Sequence, residues 1–151
     1  MYTLKDKTTI KAPIDKVWDF FSSPHNLKKI SPAYMDFTIK SGGEGKMYPG
    51  QIISYRVKPL LGIPMTWVTE ITHVEDKKFF VDEQRIGPYK MWHHEHHFKE
   101  TEQGIEMTDI VSYQLPLGFL GRLAHQVFVK YQLEKIFQFR STVMDQFFEK
   151  N

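Results

Sequence analysis

From Trp92 to Phe98 the chain alternates, with Trp92, His94, His96 and Phe98 in one set of positions and His93, Glu95 and His97 in the other. After Glu102-Gln103-Gly104 the same spacing resumes as Asp109-x-Val111-x-Tyr113. A period of two is the mark of β-strands, whose successive side chains point to opposite faces. A tight hairpin pairing Thr101 with Gly104 sets His96 opposite Asp109, His94 opposite Val111 and Trp92 opposite Tyr113 on one face. That face mixes aromatic rings with ionisable groups. A closed core is filled with aliphatic side chains, because a buried polar atom without a partner costs about 1–3 kcal/mol. The face therefore reads as the wall of a cavity.

The flanking patterns predict the remaining elements. Leu4 to Ala12 alternates loosely and reads as an edge strand. Pro13, whose fixed φ suits a first helical turn, precedes Ile14, Val17, Trp18 and Phe21 at helical spacing, so a short amphipathic helix runs to about Ser22 and is stopped by Ser23-Pro24. A second short helix is expected over His25 to Ile30, closed by Ser31-Pro32. Period-two strands follow at about 34–40, 50–58, 65–74, 78–86, 89–101 and 105–115, and their short breaks imply an antiparallel meander. From Leu117 to Asn151 no proline interrupts a helical pattern. Val129, Leu133, Ile136, Val143 and Phe147 form its stripe, widened by Phe128, Tyr131, Phe137, Met144 and Phe148. So broad an apolar face needs the sheet as its partner.

Composition sharpens this picture in three places. The 151 residues suit one domain spanning 1–151 with one substantial core, and 41% hydrophobic with 25% charged residues is a globular balance. The absence of cysteine removes disulfides, thiol catalysis and zinc–thiolate sites. Aromatic residues reach 15%, enough to pack a core or line an apolar pocket. The net charge of +2 comes from scattered Lys and Arg, which leaves nucleic-acid binding without an electrostatic footprint. The charged start, Met1-Tyr2-Thr3-Leu4-Lys5-Asp6-Lys7, lacks a signal-peptide core and no run approaches membrane-spanning length, so a cytoplasmic protein with no membrane insertion is expected. No Gly-rich nucleotide loop is visible, and no cofactor is expected.

The order strand, two small helices, six strands, long helix, together with several spaced motifs, resembles the START-like, or helix-grip, SRPBCC superfamily and its polyketide cyclase/dehydrase-like ligand-binding group. The motifs are Ala12-Pro13, Trp67-x-Thr69-x-Ile71, Asp82-x-Gln84 leading to Gly87-Pro88, Trp92-x-His94-x-His96-x-Phe98, Asp109-x-Val111-x-Tyr113, and Leu115-Pro116-Leu117-Gly118 before Leu120-Gly121. The resemblance spans the chain. It implies an α+β fold in which a curved antiparallel sheet of about seven strands wraps the C-terminal helix around a mostly apolar tunnel, and it makes the face of Trp92, His94, His96, Asp109 and Tyr113 the concave one.

Each candidate site has a structural reading beside the functional one. His94 and His96, with Asp109 across the ladder, compose a two-histidine, one-carboxylate set of the kind that ligates metals. Alternation sends His93, Glu95 and His97 to the other face, and we favour the reading in which His96 and Asp109 simply pair while His94 bonds a ligand, Tyr113 or water, with no metal. The same His96–Asp109 pair, with His94 nearby, is the candidate general base and its orienting carboxylate. Thr69 and Gln84 either offer hydrogen bonds to a ligand or serve the sheet. Arg56 reads as a solvated strand residue. Arg140, inside the apolar stripe, either snorkels to the rim or pairs with a buried carboxylate. Gly118 and Gly121 loosen the turns around Phe119 and Leu120 as a candidate lid.

Two functions remain open. One is a binding protein, monomeric or weakly dimeric, for a small hydrophobic or amphipathic molecule held by Trp67, Trp92, Tyr113 and Phe128, with Thr69, His94, His96 and Gln84 fixing its polar end. The other is a cofactor-independent cyclase, dehydratase or isomerase in which a His96–Asp109 dyad moves protons on a bound carbonyl compound.

Overall fold

The hairpin sets the architecture. In the computed structural model, which describes residues 1–60 and 62–149, Thr101 faces Gly104 and the ladder runs His96 opposite Asp109, His94 opposite Val111 and Trp92 opposite Tyr113. The seven strands are β1 (Tyr2–Ile10), β2 (Thr38–Ser41), β3 (Gln51–Leu60), β4 (Ile63–Glu75), β5 (Phe79–Ile86), β6 (Met91–Thr101) and β7 (Gly104–Gln114). They form one antiparallel sheet in the spatial order β1-β7-β6-β5-β4-β3-β2, so the strand read as an edge is an edge.

Helix α1 (Ile14–Phe21) starts after Pro13, which is extended at φ −61° and ψ 147°, and buries Val17, Trp18, Phe20 and Phe21. Asp15 in its first turn suits the positive end of the helix dipole. The expected second helix is a 3-10 segment, Pro24–Ile30. The C-terminal helix is continuous from Gly118 to Glu149 as α2 (Gly118–Ala124), a π-helical turn (His125–Val129) and α3 (Lys130–Glu149). Its expected last residues, 150–151, lie outside the described residues.

Most boundaries fall within two residues of those expected, and one differs by more. The strand expected over 34–40 begins at Thr38, because Pro32 opens a short 3-10 turn (Ala33–Met35) and Asp36 then takes a left-handed conformation at φ 48°. A residue there cannot continue an extended ladder.

Two apolar layers hold helix to sheet. One gathers Trp18, Phe20, Phe21, Phe80, Phe98, Ile105, Met107 and Met144, with the Trp18 and Phe98 rings edge to face at 5.6 Å. The other gathers Trp92, Val111, Tyr113, Val129, Leu133 and Phe137. A third cluster, Ile53, Tyr55 and Ile71, covers β3 and β4.

The β6–β7 turn rests on Gly104. Its φ is +127°, and a Cβ there would sit 2.4 Å from the Ile10 carbonyl oxygen on the neighbouring strand. Gly104→Ala is expected to lower stability by more than about 1 kcal/mol, read as an earlier denaturation midpoint in urea. An unchanged midpoint would contradict this reading of the turn.

Candidate functional site

The concave face and the C-terminal helix enclose a partly open cavity of about 140 Å³. Its walls are largely aromatic and aliphatic: Phe37 and Tyr55 toward β2 and β3, Trp67 and Thr69 from β4, Trp92 from β6, and Leu133, Ile136 and Phe137 from α3. Strand parity explains these positions, since Trp67, Thr69 and Ile71 alternate on β4 as Trp92, His94 and His96 do on β6. Trp67 stands edge-on to Trp92 at 5.5 Å and donates its indole N–H to the Thr69 hydroxyl at 3.1 Å.

Imidazole, carboxylate and guanidinium groups converge on one wall. The His94 and His96 rings lie 3.7 Å apart between two carboxylates. His94 Nε2 is 2.9 Å from Asp109 Oδ1, and His96 Nε2 is 2.8 Å from Asp82 Oδ2, both with hydrogen-bond geometry. Two further approaches close the set: His94 Nδ1 to Asp82 Oδ2 at 3.5 Å and His96 Nδ1 to Asp109 Oδ1 at 2.9 Å. The last is close but misaligned, leaving His96 Nδ1 without a hydrogen bond. Arg140 comes from α3 with Nη1 3.6 Å from Asp109 Oδ1 and its guanidinium 5.0 Å above the Phe137 ring. Its Nε and Nη1 are buried without a hydrogen-bond partner. The alternative of a guanidinium near a buried carboxylate is thus the one observed, and the partner is Asp109.

Burial alone would raise both carboxylates. The hydrogen bonds and positive charge around them outweigh it, so Asp82 and Asp109 are held below the usual carboxylate range, Asp109 far below. The two imidazoles part company. Burial and the neighbouring His96 push His94 down, against its carboxylates. Burial would also lower His96, but its contacts with Asp109 and Asp82 win and raise it. The two carboxylates thus face the Arg140 guanidinium and two imidazoles of unequal proton affinity, His96 holding its proton more tightly than His94.

Of the residues singled out from sequence, Trp67, Thr69, Trp92, His94 and His96 line the cavity. Asp109 is buried behind the two imidazoles. Three residues stand elsewhere. Phe128 is exposed on the outer side of the C-terminal helix, and Val129 takes the inward place beside it. Gln84 shares the expected face, but its amide is occupied by the Tyr89 backbone, donating to the carbonyl at 2.7 Å and accepting from the N–H at 3.2 Å. Tyr113 is buried on the expected face but outside the cavity, its hydroxyl 2.8 Å from His125 Nε2, and borders a separate open groove with Tyr2 and Glu134. Arg56 is exposed. Phe119 and Leu120 also face outward and line no part of the cavity, while Gly121 is there for close packing, since a Cβ on it would lie 2.1 Å from the Pro116 carbonyl oxygen.

Alternation did not join Asp82 to the histidines, although its strand parity was visible. His125, stacked on Tyr2 at 3.5 Å, carried no signal in the sequence.

The class defined by this arrangement is a helix-grip domain, an antiparallel sheet closed over a long C-terminal helix with a cavity between them. The chain belongs to the polyketide cyclase/dehydrase and lipid transport family, whose model matches residues 10–146. The fold is shared with protein CV1439 from Chromobacterium violaceum (TM-score 0.75, 10% identity, 97% of each chain covered). It is shared also with ginseng major latex-like protein 151 from Panax ginseng (TM-score 0.71, 16% identity, 97% of each chain). Protein Ms6760 from Mycobacterium smegmatis is similar as well (TM-score 0.70, 19% identity, 96% of this chain and 89% of that one). No curated protein matches the sequence. Among the described residues, no helix is long and apolar enough to cross a membrane.

The electrostatics set a signed pH dependence. Asp109, held below its ordinary 3.8, contributes stability that is present above about pH 4 and lost as pH falls. His96, held above 6.5, contributes stability that is whole below that value and fades as pH rises through its folded pKa. His94, held below 6.5, subtracts stability as pH falls through that value. Asp109→Ala is expected to cost about 3–5 kcal/mol at neutral pH, as removal of one buried partner does, and to flatten the acid side of the stability curve. Denaturant unfolding against pH measures this. Imidazole NMR titration should show His94 and His96 moving in opposite directions from 6.5, and a common midpoint would refute the assignment.

Proposed function

We propose that the protein binds a small amphipathic molecule in the cavity between the sheet and the C-terminal helix. Its apolar part rests against Trp67, Trp92, Leu133 and Phe137, and its polar end faces Thr69, His94, His96 and Asp82. The observation that carries this reading is a largely apolar cavity with its imidazole and carboxylate groups concentrated on one wall, the arrangement by which pockets combine affinity with orientation. Size narrows the ligand. A dry cavity of about 150 Å³ accepts a benzene-sized guest, so this one suits a single ring or short branched group. A long acyl chain has to extend through the mouth or widen the cavity.

A second reading has its own support. Two adjacent imidazoles with opposite pKa shifts beside carboxylates are the pattern of an acid–base pair, which suits a cyclase, dehydratase or isomerase acting on a bound carbonyl compound. The pair expected from sequence was His96–Asp109. The aligned hydrogen bonds are His94–Asp109 and His96–Asp82, so either histidine is eligible.

Uptake of an apolar fluorescent probe tests the binding reading. One probe per chain is expected, displaced more readily by small ring compounds than by long-chain fatty acids. Leu133→Phe, which fills the cavity, should weaken uptake about tenfold, roughly 1.4 kcal/mol, while Phe128→Ala, on the outside, leaves it unchanged. Folded protein that takes up no probe would overturn the proposal. For a ligand so identified, His94→Gln and His96→Gln separate the readings: turnover lost with binding kept favours the enzyme, and binding lost where no turnover exists favours the carrier.

A further inference from the structure

We infer that Asp82, His94 and His96 form a site for one divalent transition-metal ion on the cavity wall, with Asp109 orienting both imidazoles from behind. One donor atom from each of the three residues lies within 4.8 Å of the others. Asp82 Oδ2 is 2.8 Å from His96 Nε2 and 3.5 Å from His94 Nδ1. Ligands around a tetrahedral ion at about 2.0–2.1 Å stand roughly 3.3 Å apart, close to both of these Asp82–imidazole separations.

The second carboxylate is what changes the inventory. Simple pairing asks for one acceptor per imidazole, whereas here each ring has a carboxylate oxygen near both of its nitrogens. A neutral imidazole has one N–H and one lone pair, and only the cation can donate from both sides. Two cationic rings with centroids 3.7 Å apart would repel. A metal ion resolves the conflict: His94 Nδ1 and His96 Nε2 turn lone pairs toward it beside Asp82, and His94 Nε2–H and His96 Nδ1–H both turn toward Asp109 Oδ1, each 2.9 Å away. Metal-bound histidines are commonly held this way, the second N–H fixed by a carboxylate. It also gives His96 Nδ1, buried and without an aligned partner, a defined donor role.

Two nitrogens and one oxygen suit zinc and its first-row neighbours, whereas magnesium and calcium favour all-oxygen sets. All three ligating residues line the cavity, so the coordination positions the protein does not fill open onto it.

Chelator-treated wild-type protein, dialysed against Zn²⁺ and separately against Co²⁺, tests the inference without any variant. One ion per chain is expected, with a Co²⁺ absorption spectrum of low coordination number. Asp82→Asn and His96→Gln should each weaken Zn²⁺ binding at least 100-fold, and Asp109→Asn, a positioning change, about 10–100-fold. His93→Gln and His97→Gln, on the opposite face, should leave it unchanged. Folded wild-type protein that takes up no stoichiometric metal overturns the inference. So does uptake that survives Asp82→Asn or that disappears with His93→Gln. Apolar-probe uptake measured on the chelated protein reports on the cavity separately, so the two proposals stand or fall independently.

Discussion

The structure depends on a polar layer held inside an apolar interior. On β6 the sequence runs Trp92, His94, His96, Phe98; on β7 it runs Met107, Asp109, Val111; on α3 it runs Phe137, Arg140, Met144. Each element thus passes from one apolar layer to the other through one or two ionisable residues at the same level. Removing such groups from water costs several kcal/mol per ion unless each finds a partner. Partners are found only when β5, β6, β7 and the helix are all in register. A slip of one residue in any strand would send its polar member to the outer face and an unmatched one inward. Hydrophobic burial supplies the general attraction between helix and sheet, and this layer selects among its possible alignments.

The same layer explains why the cavity lies where it does. Aliphatic side chains that would otherwise fill the space between β4, β6 and α3 cannot be pressed against imidazole and carboxylate groups without covering them. Next to these groups stand rings, Phe80, Trp92 and Phe137, which offer a flat apolar face and an edge that tolerates a polar neighbour, while Leu133 and Ile136 complete the wall. Phe137 shows both uses, with Arg140 above its face and His94 5.7 Å from its ring centre. A guest or an ion that binds only the folded protein stabilises it by mass action, so occupancy of this wall and stability of the fold are coupled.

Much of this was legible in the sequence, for reasons that can be located. The β6–β7 register followed from alternation and a tight turn at Gly104, both local. The long helix followed from an uninterrupted stripe, and the concave face from resemblance. What was not legible depends on longer paths. Asp82 meets the histidines through the β5–β6 pairing, where it lies opposite His94, and β5 itself is set against β4 through two register shifts that no local pattern announces. Phe128 borders the apolar stripe in the sequence, next to Val129, but the helix turns Val129 inward and Phe128 outward, and the inward line is His125, Val129, Leu133 and Phe137 at steps of four. Tyr113 and Gln84 lie on the expected face, yet each is occupied by a neighbour, His125 and Tyr89, whose position only the tertiary structure supplies.

The run His93 to His97 shows how far strand parity alone divides chemistry. His93 and His97 face outward, where Glu83 and Glu95 accompany them at 2.8 and 2.9 Å and about a third or more of each imidazole is exposed. Such pairs contribute between zero and about 1 kcal/mol, and solvent screens them. His94 and His96, one residue away in each case, are nearly fully enclosed. Their partners cannot be replaced by water, so the geometry around them is over-determined by four elements at once. A composition count would treat the four histidines alike. The sheet makes two of them surface residues and the other two a site, because enclosure turns the same ring from a solvated group with incidental contacts into one whose nitrogens meet chiefly protein partners.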